Sequence, residues 1–248
     1  MKEFLDTILK WDGTTWAAQV SGSIQYLRGV WGTDAKNVWA VGSGGAILKW
    51  DGTAWTTQTT GTVQSLQGVW GTDANNVWAV GASGTILRWN GAAWAAQSSG
   101  TPGTLLSVWG TDVNNVWASG AYGLLVRWNG TAWALQDSGA TDDLNMLWGT
   151  GTDVWIAGSG GNIYRYQSMT SQATKQSSGT TQTLRSIFGK THSEFYVVGD
   201  GGTIIKWNGT SFSPVRSDTT ASLTTGVILA SGATVIGGPS SGWLQQVP

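Results

Sequence analysis

Residues 30–55 read VWGTDAKNVWAVGSGGAILKWDGTAW, and residues 69–94 read VWGTDANNVWAVGASGTILRWNGAAW. The 39-residue units that begin at residues 30 and 69 are identical at 23 of 39 aligned positions. Four tryptophans mark one position of successive units: Trp31, Trp70, Trp109 and Trp148. A period of about 40 residues that holds four strands is typical of a β-propeller blade, so this stretch predicts the fold.

Four segments of the first full unit have the composition of strands, with Val, Ile, Leu, Trp and Thr bounded by Gly, Asp or Asn. They are strand A (Leu27–Gly32), strand B (Asn37–Gly42), strand C (Ala46–Trp50) and strand D (Ala54–Gln58). Strands C and D are joined by an Asp-Gly or Asn-Gly pair, which supplies the positive φ of a tight hairpin turn. The pattern therefore predicts four-stranded antiparallel blades, and no helical stripe of apolar residues persists.

The number of units predicts six blades. Their A strands are centred on Trp31, Trp70, Trp109, Trp148, Phe188 and Val227. The chain begins with a C–D hairpin, ILKWDGTTWAAQ, and ends with A and B strands and a poor C strand. We predict an all-β, six-bladed β-propeller, a single domain over residues 1–248, in which residues 1–20 complete the last blade and close the ring. Ile8–Trp11 and Trp243–Gln246 both resemble strand C of that blade, and an open β-solenoid is the alternative architecture.

The composition limits the classes of partner. The 248 residues carry a net charge of −1 and only 11% charged residues, which argues against nucleic acid and anionic membranes as main partners. There is no cysteine, so disulfides, thiolate metal sites and thiol nucleophiles are excluded. No signal peptide and no stretch of 18 apolar residues occurs, so we expect no membrane insertion. The Gly-, Ser-, Thr- and Trp-rich composition favours an extracellular or cell-surface location, and we expect a monomer.

The W-G-x-D-x-x-N-V-W-A-V-G repeat and the W-D-G-x-x-W hairpin, as in Trp50–Trp55, resemble those of secreted bacterial β-propellers, notably of myxobacteria, grouped with BNR-like or Kelch-like repeats. The hairpin is also similar to that of tectonin-type lectin propellers. That resemblance implies sugar binding in clefts between neighbouring blades. Fucose-binding propellers carry a carboxylate beside the strand-C position, which is basic here, so fucose is disfavoured. The basic residues are Lys10, Lys49, Arg88, Arg127, Arg165 and Lys206.

The strand-D tryptophans are the candidate ligand-binding residues. A Trp ring on an outer strand can stack on a sugar, while a basic residue and a glutamine bond its hydroxyl groups. The repeat supplies three such sets: Lys49, Trp55 and Gln58; Arg88, Trp94 and Gln97; Arg127, Trp133 and Gln136. The alternative is that each Trp covers the neighbouring blade while the basic side chain extends outward.

The sequence shows little that predicts catalysis. His192 is the sole histidine, and it lies in the loop KTHSE. A two-carboxylate glycosidase would depend on Asp142, Asp143 or Asp200, the acidic residues that break the repeat. Recurring Asp residues in the G-T-D-x-x-N loops are interpreted as turn formers rather than calcium ligands, and Glu194 as a turn residue. We therefore predict no enzyme, no cofactor and no metal.

Two functions from different classes follow. The first is a multivalent carbohydrate-binding module with several equivalent shallow sites between blades. The alternative is a protein-interaction or structural scaffold that uses the features that differ between blades: Tyr122, the acidic loop 140–145 and GPSSG at 238–242. A recently amplified or engineered repeat protein without a selected ligand is also possible. The sequence names neither a sugar nor a partner.

Overall fold

The protein is described by a computed structural model. It covers residues 7–23, 25–151, 153–167, 172–229, 231–238 and 245–247. Within these ranges the regular structure is β-strand, apart from short 3₁₀ turns, as the repeat predicts. No helix of the described chain is long and apolar enough to cross a membrane.

The strands follow the repeat closely. In chain order they are β1 (Ile8–Trp11), β2 (Trp16–Gln19), β3 (Leu27–Asp34), β4 (Asn37–Gly42), β5 (Ile47–Trp50), β6 (Trp55–Thr57), β7 (Leu66–Asp73), β8 (Asn76–Gly81), β9 (Ile86–Trp89), β10 (Trp94–Gln97), β11 (Leu105–Asp112), β12 (Asn115–Gly120), β13 (Leu125–Trp128), β14 (Trp133–Leu135), β15 (Leu144–Thr150), β16 (Asp153–Gly158), β17 (Ile163–Gln167), β18 (Gln172–Gln176), β19 (Leu184–Thr191), β20 (Glu194–Gly199), β21 (Ile204–Trp207), β22 (Phe212–Pro214), β23 (Thr225–Ile228), β24 (Thr234–Gly237) and β25 (Gln245–Val247). In five of the repeats strand B is joined to strand C by a three-residue 3₁₀ turn: Ser43–Gly45, Ala82–Gly84, Ala121–Gly123, Ser159–Gly161 and Asp200–Gly202.

The strands form antiparallel sheets with neighbours in chain order. Five are complete four-stranded sheets: sheet 1 (β3–β6), sheet 2 (β7–β10), sheet 3 (β11–β14), sheet 4 (β15–β18) and sheet 5 (β19–β22). Two are incomplete: the N-terminal hairpin (β1–β2) and the C-terminal sheet (β23–β25). The strand-D position of sheet 4 lacks the tryptophan of sheets 1–3, yet β18 still pairs with β17 over five residues.

The chain divides into two compact units. Unit 1 contains residues 1–116 and 128–134, and unit 2 contains residues 117–127 and 135–248. In unit 1, buried residues of sheets 1 and 2, such as Trp39, Leu66 and Leu87, form a common core. In unit 2, sheets 4 and 5 share a core around Trp155 and Phe195, and sheet 5 packs on the C-terminal sheet.

The Trp-Gly dipeptide of strand A packs successive sheets of unit 1 against each other, because the Trp ring of one sheet lies on the Gly of the next. A Cβ atom on Gly71 would lie 2.8 Å from the ring of Trp31 and 2.5 Å from the carbonyl oxygen of Asn76. Gly110 stands in the same relation to the ring of Trp70, again at 2.8 Å. Only glycine leaves room for the tryptophan of the preceding sheet, so the dipeptide repeats with the unit.

At the C-terminal end, the structure shows one of the two strands that the sequence left as alternatives for strand C. β25 pairs with β24, so Gln245–Val247 occupies the strand-C position that the sequence left open. Residues 239–244, including the start of the predicted segment, lie outside the described residues. In the described chain β1 pairs only with β2, so the predicted joining of residues 1–20 to the last sheet is not among the observed pairings.

Candidate functional site

The strand-C cations lie over aromatic rings. Lys49 Nζ is 5.3 Å from the ring centroids of both Trp39 and Trp89. The Arg88 guanidinium is 5.0 Å from Trp78 on its own sheet and 5.9 Å from Trp128 on the next. These are cation–π distances, so the basic side chains predicted to bond sugars also hold neighbouring strands together.

The strand-D tryptophans are mostly covered. Trp94 and Trp133 are only 9% and 7% exposed, and Trp55 is half-buried against Trp50. Trp133 Nε1 donates a hydrogen bond to Gln97 Oε1 at 3.0 Å, although Gln97 belongs to the preceding sheet. A ring that is more than nine-tenths buried does not offer a face on which a sugar can stack.

The set predicted in sheet 2 is divided between the two faces of that sheet. Trp94 pairs with Trp89 and Ala95 pairs with Arg88, so Arg88 and Trp94 point to opposite faces. The structure instead groups Arg88 and Gln97 of sheet 2 with Trp128 and Trp133.

The other two sets are also dispersed. Gln58 folds back on Thr56 rather than meeting Lys49. Arg127 lies 5.1 Å from the ring of Trp117, and Gln136 accepts a hydrogen bond from the hydroxyl of Tyr166 at 3.2 Å.

A shallow cleft of about 390 Å³ lies beside Gln97 and Trp133. Its other lining residues are Ser98, Gly100, Trp128, Thr131 and Ala132. It contains two of the nine predicted residues. Trp128 also lines it, and this residue was not predicted because the contact joins two different repeat units.

The recurring Asp residues of the G-T-D-x-x-N loops close turns. Asp34 accepts hydrogen bonds from the backbone of Lys36 and from the side chains of Asn37 and Thr33. These bonds, that of Asn37 first, hold the pKa of Asp34 at about 2. The carboxylate is thus used within its own turn, as the turn-former interpretation predicts.

Tyr122 and the acidic loop 140–145, which have no counterparts in the other repeats, are in contact within unit 2. Tyr122 is 87% exposed and has a φ of +55°, a conformation that favours glycine. Its backbone N–H donates to Asp143 Oδ1 at 3.0 Å. Asp142 accepts a hydrogen bond from Asn162 Nδ2 at 2.6 Å. We call Tyr122, Asp142 and Asp143 the loop face.

The loop face carries negative charge. Asp142 is exposed and Asp143 is half-buried, and no salt bridge to either carboxylate occurs in the described chain. Burial raises the pKa of the nearby Tyr164, and the charge of Asp142 raises it further. The third predicted feature, at 238–242, lies outside the described residues from residue 239 onward.

The remaining acidic candidate, Asp200, is held in an ion pair. Arg185 donates to both of its carboxylate oxygens, at 2.5 and 2.8 Å. These bonds lower the pKa of Asp200, whereas a general acid needs a raised one. His192 is exposed in its turn.

Unit 2 contains two further ion pairs that the sequence analysis missed. Arg165 bonds Asp153 at 2.6 Å, and Lys206 bonds Glu194 at 2.5 Å. Glu194 is therefore the partner of the strand-C cation and not simply a turn residue. Sheets 1 and 2 have Asn37 and Asn76 at this position, and Arg88 donates to Asn76 at 3.0 Å. The sequence does contain the pattern that predicts these ion pairs: an acidic residue lies 12 positions before the strand-C cation.

No protein-family model matches the sequence, and no curated protein matches it. Solved structures do match. YCF48 from Cyanidioschyzon merolae superposes with a TM-score of 0.70 at 15% identity, over 90% of this chain and 82% of that one. The WD40 β-propeller domain of Doa1 gives a TM-score of 0.71 at 16% identity, over 88% and 79%. A structure of YCF48 bound to a D1 peptide gives 0.50 at 14% identity, over 93% and 94%.

These similarities establish the fold class. The chain is an all-β repeat protein with a β-propeller fold, built from four-stranded antiparallel sheets. At 14–16% identity these similarities show the fold and not the ligand of this chain.

Proposed function

We propose that this protein is a non-enzymatic, protein-interaction propeller that binds a partner through its loop face. The observation that carries the proposal is the hydrogen bond from Tyr122 N–H to Asp143 Oδ1. It joins the exposed aromatic residue to the acidic loop, two features that set one sheet apart from its repeats. A site for a single partner must differ from its counterparts in the other repeats, because identical repeats would offer several equivalent sites.

The chemistry of the loop face fits a protein partner. Exposed tyrosine is enriched at protein interfaces because it offers a large rigid surface with a polar end. Among the structural neighbours, YCF48 is described bound to a peptide, and Doa1 contributes a WD40 domain. These neighbours support a binding scaffold as a class.

The test replaces Tyr122 by glycine. Gly44, Gly160 and Gly201 occupy the corresponding turns with a φ of 63–64°, so Tyr122→Gly keeps the backbone conformation. We expect this variant to lose partners that the wild type captures in a quantitative pull-down, with Asp143→Asn weakening capture. The matched control is Val63→Thr, another highly exposed side chain in a different unit. If Tyr122→Gly and Val63→Thr capture the same proteins as wild type, the loop face is not the interaction surface.

Carbohydrate binding is the second candidate, favoured by the cleft beside Gln97, Trp128 and Trp133. The burial of Trp94 and Trp133 argues against stacking on those rings. A saturable signal on a glycan array that persists in Tyr122→Gly and is lost in Gln97→Ala would support this function. A blank array would leave the protein partner.

Several finer expectations stay predictions. They are the sixth blade, closure of the ring by residues 1–20, the similarity to secreted bacterial repeats, the extracellular location and the monomeric state. No described strand pairing supports the closure, since β1 pairs only with β2.

A further inference from the structure

The loop face has carboxylate oxygens that its own hydrogen bonds do not use. Asp143 Oδ1 accepts the bond from Tyr122 N–H, and Asp142 Oδ2 accepts the bond from Asn162 Nδ2. Among the described residues, no side chain or backbone group donates to the second oxygen of either carboxylate, and no cation forms an ion pair with them. One oxygen of each carboxylate therefore holds the loop, and the other can accept a hydrogen bond from a ligand.

A buried hydroxyl group lies beside these carboxylates. Tyr164 is only 5% exposed and follows Asn162 by two residues on extended backbone, so both side chains leave the same face of the sheet. Asn162 holds Asp142 there, and the charge of Asp142 acts on the Tyr164 hydroxyl. Within the described chain this hydroxyl has no hydrogen-bond partner. Sheets 1 and 2 have Leu48 and Leu87 at this position, so the packing of a sheet does not require the hydroxyl.

A polar cavity adjoins the loop face within unit 2. It has a volume of about 600 Å³ and is lined by residues 160–162 and 175–182. Asn162, the partner of Asp142, forms part of its wall. Lys175 stands opposite Tyr164 in the register of β17 and β18, yet it is exposed and forms no ion pair in the described part of the chain. The nearby cation thus leaves the carboxylates of the loop face without a counter-charge.

We propose that the loop face binds an arginine side chain in a peptide segment of the partner protein. This inference rests on the proposed function and names the chemistry that the partner presents. A guanidinium group has five N–H donors and no acceptor, which suits the oxygens of Asp142, Asp143 and Tyr164. It also stacks on aromatic rings, and Tyr122 offers an 87% exposed ring beside the carboxylates. The polar cavity next to Asn162 can receive the flanking main chain.

Other ligand classes fit these groups less well. A phosphate or carboxylate ligand would be repelled by two negative charges that no described cation neutralises. A divalent cation such as calcium takes six or more oxygen ligands, and the described residues contain no cluster of three or more potential metal-binding side chains. A lysine ammonium could pair with the carboxylates, but it lacks the planar group that stacks on a tyrosine ring.

The experiment selects a phage-displayed library of random dodecapeptides on the full chain. Enriched peptides are synthesised with a fluorescein label, and anisotropy gives their affinities. We expect arginine to recur at one position of these peptides. Replacing it with glutamine should weaken binding about tenfold, and replacing it with lysine roughly threefold, because lysine keeps the charge and loses the stacking and the paired N–H donors.

Matched variants of the protein locate the arginine. Asp142→Asn keeps the acceptor for Asn162 and removes the charge, so it should weaken the arginine peptide roughly three- to tenfold. Tyr164→Phe removes only the hydroxyl and should weaken it about two- to threefold. Neither variant should change the affinity of the glutamine peptide. The control is Asp137→Asn, which removes an exposed carboxylate of the same connection that accepts only the Gly139 N–H, and it should bind like the wild type. Circular dichroism establishes that each variant is folded.

Tyr122→Gly separates this inference from the proposed function. If Tyr122→Gly abolishes peptide binding but Asp142→Asn has no effect, or if the enriched peptides lack arginine, the assignment to arginine is wrong and the loop face remains the interaction surface. Equal weakening by Asp142→Asn and Asp137→Asn would show general charge attraction and would overturn the inference. A selection without enriched peptides would overturn it too, whereas the pull-down with Tyr122→Gly decides the proposed function independently.

Discussion

Residues 8–19, ILKWDGTTWAAQ, and residues 47–58, ILKWDGTAWTTQ, are identical at nine of twelve positions and form the same hairpin. Their surroundings differ. Trp11 is 48% exposed, whereas the equivalent Trp50 is 8% exposed, lies under Lys10 and donates its indole N–H to Ala35. One sequence thus forms a covered hairpin in one place and an open one in another. Local sequence determines the hairpin, and the preceding strands determine its burial.

The largest expected difference is between Trp50→Ala and Trp11→Ala. Removing the buried ring should cost about 3–5 kcal/mol of unfolding free energy, because it leaves a cavity and unpairs a carbonyl group. Removing the half-exposed ring should cost about 1 kcal/mol. Equilibrium urea unfolding measures both. Equal losses would mean that the N-terminal hairpin is covered in solution.

The next difference concerns Gly71→Ala and Gly32→Ala. Both Cβ atoms would crowd a backbone carbonyl oxygen, but only that of Gly71 would also meet the ring of Trp31. We expect both variants to lose stability and Gly71→Ala to lose about 1–3 kcal/mol more, the usual cost of overpacking. Thermal unfolding of the two variants and the wild type under the same conditions measures this difference in stability. A larger loss for Gly32→Ala would show that an aromatic ring also covers Gly32.

A smaller difference separates Lys49→Gln from Lys10→Gln. Lys49 lies between two rings, and Lys10 faces one. At about 0.5–1 kcal/mol for each exposed cation–π contact, the loss for Lys49→Gln should be roughly twice that for Lys10→Gln. Urea titration of the two variants and of the double variant tests this. The losses should add, since the two cations share no ring.

The smallest expected effect is the loss of stability at low pH, and here the two hairpins should behave alike. Asp12 and Asp51 accept backbone and Thr hydroxyl hydrogen bonds in their turns, which lower both pKa values, that of Asp51 to about 2. A lowered pKa adds stability above the unfolded pKa near 4, and this is lost as the pH falls through the folded pKa. Carboxyl NMR shifts should show both groups ionised at pH 3. Asn129 makes the same bonds, so Asp51→Asn should keep the turn and lose the acid sensitivity. A normal pKa at Asp12 alone would show that its turn is open.

The sequence predicted the strands and turns well because those depend on neighbours along the chain. Each Asp-Gly or Asn-Gly pair specified a turn, and short apolar runs bounded by Asn and Gly specified strands such as β4 and β8 at the predicted bounds. The identity of the strand beside β24 could not be predicted, because Ile8–Trp11 and Trp243–Gln246 have the same pattern.

The candidate site was less predictable because its contacts join different units. Arg88 and Trp94 are close in sequence, yet strand alternation places them on opposite faces, a point that the hairpin register alone could have shown. The contact of Arg88 with Trp128 and that of Gln97 with Trp133 span about a whole repeat, so no single unit reveals them. Tyr122 and Asp143 were singled out separately, and only the fold shows that they touch.

The packing of Trp31 on Gly71 and of Trp70 on Gly110 has a consequence for how such a chain can change in length. The two members of each pair lie one repeat plus one residue apart, and every duplicate of the unit contains both the ring and the glycine that receives a ring. Unequal crossing-over at any point within the period therefore yields a longer or shorter array in which each Trp still meets a Gly of the next sheet. A point mutation at one member, by contrast, can be repaired only by a second change about 40 residues away. Gene duplication should thus alter this protein more readily than gradual divergence of its strand-A tryptophans.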